Sequence, residues 1–384
     1  MIKEYKLVIL VMAVMAVYFL LVTPPGGLSA DGQNYEGFAE SLARGKIDFK
    51  SFYGFHGLSI LSVPFFWLTG SHLSIAYTSM FLVLMSVPLI YLIARDIFNS
   101  NKAGVYGLLI FLMTPYPYTT LMMGFQEAAL LFFILLIIYG SIHKRSWTPL
   151  VWAFGGIVKP FALVLLPLFT SDLWVRKKTK WFFLLGLAVG LVYLATSYYQ
   201  VGHPINNAAI NSYQGNFDTG NPPPLRESFT AGIKGFLRVG ANLLLHFRKI
   251  MVSPLVIILG ALALLAPLRL NLFRWRFNLN TGEGIRMRKE IILAIVLNFL
   301  LVGSLTFSFS KYLLPMTTLF ALASVSYLLK YRWLMWLVFI DSFFVFLPIW
   351  NYFGHNFWPN IYIYLLPFWT AIAIFLFSRK EKLS

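Results

Sequence analysis

The chain reads as an all-α polytopic membrane protein, and three observations predict that class. Hydrophobic residues make up 59% of the 384, while charged residues make up only 12%, against about 25% in ordinary soluble domains. Mean hydropathy is +0.73. Apolar runs of roughly 17 to 24 residues recur from one end to the other, each long enough for a helix that satisfies its own backbone in lipid. A β-barrel would show short alternating segments instead, and none dominate. The runs fit about 11–13 membrane helices in a single domain, 1–384. The chain has no cysteine, so a disulfide framework, a thiolate metal site and a cysteine nucleophile are all excluded.

The first run, MIKEYKLVILVMAVMAVYFLLV, joins a basic start to an apolar core. Its length, and the lack of a good small-residue cleavage site, favour an uncleaved helix at 7–23 over a signal peptide. Thr23-Pro24-Pro25-Gly26-Gly27 breaks it and opens a long outer loop, 24–72. Within that loop Ser29 or Asp31 is placed to cap a short amphipathic helix running to Arg44. The apolar face of this helix holds Tyr35, Phe38, Ala39 and Leu42. A second piece, LSILSVPFFWLTG, is about 13 residues long and interrupted by Pro64, a length that suits a helix lying at the interface. A helix at 73–96 then ends in ARDIFNSNK, 103–119 returns outward to PYPY, and 125–142 goes back to His143, Lys144 and Arg145.

The next stretch decides the topology. Read as one span, 148–170 would leave Arg176, Lys177, Lys178 and Lys180 on the outer side, against the cytoplasmic preference of lysine and arginine. Splitting 148–174 at Lys159-Pro160 into two short helices restores the preference, since proline disfavours helix at the residue before it and removes its own donor. From there 181–199 leads to a second long outer loop, 200–249, with His203, Arg226 and an amphipathic segment at 229–246. Residues 251–268 return to the basic stretch RLNLFRWRFNLNTGEGIRMRK. Helices at 290–307 and 312–329 form an outer hairpin around Lys311, and a pair at 333–349 and 359–378 ends the chain. Both termini come out cytoplasmic. The net charge of +17 is then explained by cytoplasmic loops against anionic headgroups and calls for no nucleic acid. Loops this long, gathered on one face, point to a functional site there.

Lys159 and Lys311 sit in apolar surroundings, where an ammonium is expensive unless an anion is near. Cations converging on the face that also carries Asp31 suggest a site for a phosphorylated lipid. Snorkelling to the headgroups explains either lysine alone, but explains less well why Lys159 stands at a helix break. Asp31 reads as a helix cap or as a catalytic acid. Glu127 reads as an anion at the positive end of a helix or as a substrate ligand. His56, His72 and His203 are scattered outer-loop histidines, read as surface or interface residues rather than a zinc set. The rival reading is a secondary transporter or lipid flippase, with Asp341 as a proton-coupling acid inside an apolar helix. Related halves would support it, and no convincing repeat links 1–190 with 191–384.

The order of these features resembles the GT-C type of integral-membrane glycosyltransferases, which use polyprenyl-phosphate sugars. More closely it resembles the group of dolichyl-phosphate-mannose protein mannosyltransferases and aminoarabinose transferases. The resemblance is carried by Asp31-Gly-Gln-Asn-Tyr35 after helix one, ARDIF, Pro115, Glu127 at a helix start, GGIVKP at 155–160 and Lys311-Tyr-Leu-Leu-Pro315. It implies a GT-C-like helical fold and sugar transfer from a lipid-phosphate donor to a lipid, glycan or protein acceptor on the extracytoplasmic or luminal face. It further implies Asp31 as general base, Glu127 as acceptor or donor ligand or second base, and Lys159 and Lys311 as the clamp on the donor phosphate. Tyr35, Gln126, Tyr312, His203 and Arg226 are the accompanying substrate-binding candidates. A divalent metal is compatible with the group, but no metal ligands are indicated. Two departures stand out: no second acid adjoins Asp31, and Lys311 replaces the usual arginine with a point charge.

Overall fold

The computed structural model describes residues 2–22, 28–70, 73–115, 124–202, 252–265, 282–303, 310–350 and 360–380. The helices in order are α1 (Ile2–Val22), α2 (Ala30–Ala43), α3 (Gly57–Thr69), α4 (Ser74–Phe98), α5 (Asn101–Leu112), α6 (Glu127–Ile142) and α7 (Thr148–Val158). A 3-10 segment, Pro160–Phe169, leads into α8 (Thr170–Val175) and α9 (Lys177–Val201). Then come α10 (Pro254–Leu265), α11 (Gly282–Gly303), a 3-10 turn at Ser310–Leu313, α12 (Leu314–Lys330), α13 (Leu334–Ile349), α14 (Ile361–Tyr364) and α15 (Leu366–Lys380).

Tyr5–Val22 within α1, α4 and α9 are each long and apolar enough to cross a bilayer, and shorter apolar helices accompany them. One apolar core runs through the described helices, with Tyr18, Phe19, Tyr91, Phe169 and Phe346 fully enclosed. Helix α4 packs on α5 and α6, α7 packs on α6 and α9, and α10 packs on α12. Leu191 and Val192 of α9 are about two-thirds exposed (65% and 66%). Exposure of that extent on so apolar a helix marks a lipid-facing surface.

Helix α2 begins where the sequence places it. Ser29 is its cap: the hydroxyl accepts from the Gly32 amide at 3.1 Å. Phe38 and Ala39 are buried and Tyr35 and Leu42 half-buried, which matches the expected apolar face. The break at Lys159-Pro160 is also present, with Lys159 extended at φ −162°, ψ 128°. Beyond the break the chain departs from the expected second short α-helix: Pro160–Phe169 winds as 3-10. Pro160 opens the segment and Pro167 removes one interior donor, which weakens an i→i−4 ladder here. The segment folds back on α7, with Trp152 Nε1 donating to the Leu163 carbonyl at 3.1 Å. A Cβ on Gly156 would stand 2.6 Å from Leu163 Cδ2, so the two segments lie close on that face, although the partly exposed leucine could move aside. The expected helix at 359–378 is likewise split, with Pro367 in the first turn of α15 removing a donor.

At the other end of the bundle, Asp96 of α4 accepts from Arg95 Nε at 2.8 Å and meets His143 Nε2 at 3.0 Å. That clasp ties the C-terminal ends of α4 and α6.

Candidate functional site

Because Ser29 caps α2, Asp31 is not spent on capping. It lies in the first turn, half-buried, and its Oδ1 accepts from the Tyr53 hydroxyl at 2.9 Å. Tyr53 is itself held by Asn34, whose amide pairs with both backbone groups of Tyr53, donating at 2.9 Å and accepting at 3.1 Å. A side chain that pairs with both backbone groups of one residue holds that residue in register. Sequence reading missed Asn34 and Tyr53: they are 19 residues apart, and nothing in FYGFH distinguishes this tyrosine from its aromatic neighbours.

Just before α6 the chain lies against α2. Gly124 has φ +79°, and a Cβ there would stand 2.5 Å from the Gly32 Cα. Backbone rests on backbone, with Asp31 beside one contact residue and Glu127 three residues after the other. Glu127 is fully buried and forms an ion pair with Lys159 Nζ. The ammonium also lies 5.4 Å from the centre of the Tyr312 ring, within cation–π range. Tyr312 stacks on Phe161 with ring centres 4.5 Å apart. Asn298 of α11 steadies the turn below it, donating to the Tyr312 carbonyl and accepting from the Met316 amide, both at 3.1 Å. Lys311 precedes Tyr312 in that turn.

Tyr35 is within electrostatic reach of both carboxylates. Burial pushes its phenol well above the ordinary value, and the Asp31 and Glu127 carboxylates and the Tyr53 and Tyr312 phenols push in the same direction. The structure therefore brings Asp31, Tyr35, Glu127, Lys159 and Tyr312 together. Gln126 is buried against the loop, donating to the Phe55 carbonyl. His203 and Arg226 lie outside the described residues, as does the expected helix at 229–246.

Three readings of single residues are corrected. The capping role weighed for Asp31 falls to Ser29, because the hydroxyl two positions earlier reaches the Gly32 amide. His56 is not a surface residue. It is fully buried, stacked on Phe38 at 4.0 Å, with Nδ1 3.0 Å from the Tyr193 hydroxyl. Burial lowers its pKa to about 4. Asp341, the acid named for proton coupling, accepts from the Ser253 hydroxyl and from the Leu255 amide at 2.9 Å. It caps the start of α10. Among the described residues, no three His, Asp or Glu side chains are grouped to hold a metal ion.

No protein-family model matches the chain, and no curated protein matches it in sequence. The fold has a solved counterpart. The chain is similar to ArnT from Cupriavidus metallidurans, crystallised with undecaprenyl phosphate, at 13% identity and a TM-score of 0.50, over 97% of this chain and 75% of that one. The fold is thus that of a polytopic GT-C-like membrane protein.

Proposed function

We propose that the chain is a glycosyltransferase that moves a sugar from a polyprenyl-phosphate-linked donor to an acceptor hydroxyl at the membrane interface. The observation that carries this reading is the convergence of a half-buried carboxylate, Asp31, with a buried ammonium, Lys159, around Tyr35 and Tyr312. Inverting transfer from a lipid phosphate needs a base on one side of the anomeric carbon and a cation on the other. The likeness to a protein crystallised with undecaprenyl phosphate supports a lipid phosphate as the anion.

In this reading Asp31 removes the proton of the acceptor hydroxyl. The oxygen attacks the anomeric carbon from the face opposite the phosphate, and the carbon–oxygen bond to phosphate breaks with inversion. The electron pair leaves on phosphate, which needs no proton at neutral pH. Nearby cations suffice there, and Lys159 and Lys311 supply them. Tyr53 holds Asp31 Oδ1 and leaves the second oxygen for the acceptor. Glu127 and Tyr35 orient substrate hydroxyls. The single domain has cytoplasmic termini, and the site opens on the extracytoplasmic or luminal face, where the polyprenyl tail stays in lipid between helices.

The test is transfer from radiolabelled polyprenyl-phosphate mannose, glucose or arabinose by purified protein with a host lipid extract. Donor-dependent transfer that both Asp31→Asn and Lys311→Ala abolish supports the reading. Full activity in folded Asp31→Asn rejects Asp31 as the base.

A further inference from the structure

An ammonium whose task is to grip phosphate is expected to face an open cleft. Lys159 instead lies buried against a fully buried carboxylate, Glu127, with a tyrosine ring on another side. In a medium of low dielectric this attraction is strong, and an anion arriving at Lys159 also meets the repulsion of Glu127. Two further features anchor the chain next to Glu127. The Gly124–Gly32 backbone contact fixes the entry of α6, and Gln126, the preceding residue, is bonded to the Phe55 carbonyl. Lys159 is likewise held through its backbone, to the Gly155 carbonyl at 2.8 Å and from the Ala162 amide at 3.1 Å, but its charge sits farther from the main chain. It stands at the extended joint between α7 and the 3-10 segment, on a long stem whose ammonium carries three donors. Of the two, the cation has the longer reach.

Resting on the reading of the site as one for a lipid phosphate, we propose that Glu127 is an internal competitor for Lys159. The donor phosphate draws Lys159 away from Glu127, and the carboxylate so released accepts a hydrogen bond from the acceptor hydroxyl. With no donor bound, the ion pair occupies both groups, and the acceptor has no carboxylate to meet at that position. Donor therefore binds before acceptor, and the site does not present a free ammonium to other anions.

The experiment measures binding of polyprenyl phosphate in detergent, with phosphate-free polyprenol as the control ligand. It uses the wild-type protein, Glu127→Gln, Lys159→Gln and the double variant. Glu127→Gln is expected to bind polyprenyl phosphate about tenfold tighter than wild type, because the competing charge is gone. Lys159→Gln is expected to lose most of the preference over polyprenol, the remainder resting on Lys311, and the double variant to match it. In turnover, Glu127→Gln should lower KM for the donor and raise KM for the acceptor, opposite shifts that a loss of folding does not produce. If Glu127→Gln does not fold, Glu127→Asp, which draws the carboxylate back by one methylene, should show the same tightening at smaller size. Unchanged or weaker phosphate binding by folded Glu127 variants overturns the competition, while the lipid-phosphate reading stands if wild type still prefers the phosphate. A wild type with no preference for phosphate over polyprenol overturns both.

Discussion

Helix α2 sends one carboxylate to each of two seams, and the two are used differently. At the seam with α4, Glu36 accepts from the Ser74 hydroxyl at 2.6 Å and from the Ile75 amide at 2.8 Å. It satisfies the start of a helix that has no side-chain cap of its own. Toward α6, Asp31 accepts from the Tyr53 hydroxyl, and across that seam Glu127 meets an ammonium rather than orphan amides. Asp341 at α10 resembles Glu36 in this respect. An acid whose oxygens close a helix end is consumed by the fold, because displacing it leaves buried donors unpaired. An acid held by a hydroxyl or a lysine can change partner without unwinding anything. Acidity and burial do not separate the two groups. The identity of the donor does.

That distinction breaks most visibly if activity and stability fail to part company. Asp31→Asn should lower turnover by about 10²- to 10⁴-fold, the range for loss of a general base, with thermal unfolding in detergent close to wild type. Lys159→Met should cost about 3–5 kcal/mol of stability, since it strands a buried carboxylate, and most of that should return in Lys159→Met/Glu127→Leu. Glu36→Ala should behave in the opposite way to Asp31→Asn: a loss of about 1–3 kcal/mol from the uncapped α4, with turnover per folded molecule unchanged. Equal loss of turnover in Glu36→Ala would dissolve the contrast between the seams. Tyr53→Phe sharpens it at smaller scale, removing one hydrogen bond worth about 1 kcal/mol and reducing kcat roughly tenfold.

A pH effect completes the series. The pKa of His56 is depressed in the fold to about 4 from an ordinary 6.5. The unfolded chain therefore binds a proton between those values that the folded chain does not. The stability owed to neutral His56 is fully present above pH 6.5 and falls as pH drops toward 4, by at most about 1.4 kcal/mol per unit. Thermal midpoints measured from pH 7 to 4 should show this slope, and His56→Phe should flatten it.

Much of the architecture is legible in one dimension. The proline at 160 and the sidedness of Arg176, Lys177, Lys178 and Lys180 locate the break at Lys159, because a helix cannot continue into proline without cost and basic loops prefer one side. Ser29 two residues before Asp31 already names both capping candidates. Other features are silent in the sequence. The Asn34–Tyr53 pairing joins two interfacial segments, and neither residue type demands it. His56 reads as a loop histidine because only packing against Phe38, Phe49 and Tyr193 buries it. The 3-10 winding after Pro160 is not marked in the sequence, since prolines also stand inside α3 and α4.

By itself the sequence determined the medium, the helices and the outline of the fold: apolar length and the distribution of lysine and arginine act locally and leave few alternatives in a bilayer. It also placed acids and lysines at helix starts and breaks. Which acid closes a helix end and which does not was decided only by tertiary structure, because that depends on the donor each carboxylate meets across a seam. Glu36 and Asp31 share one helix and differ by five positions. One meets the amide end of α4, and the other meets a tyrosine hydroxyl delivered from 22 residues away.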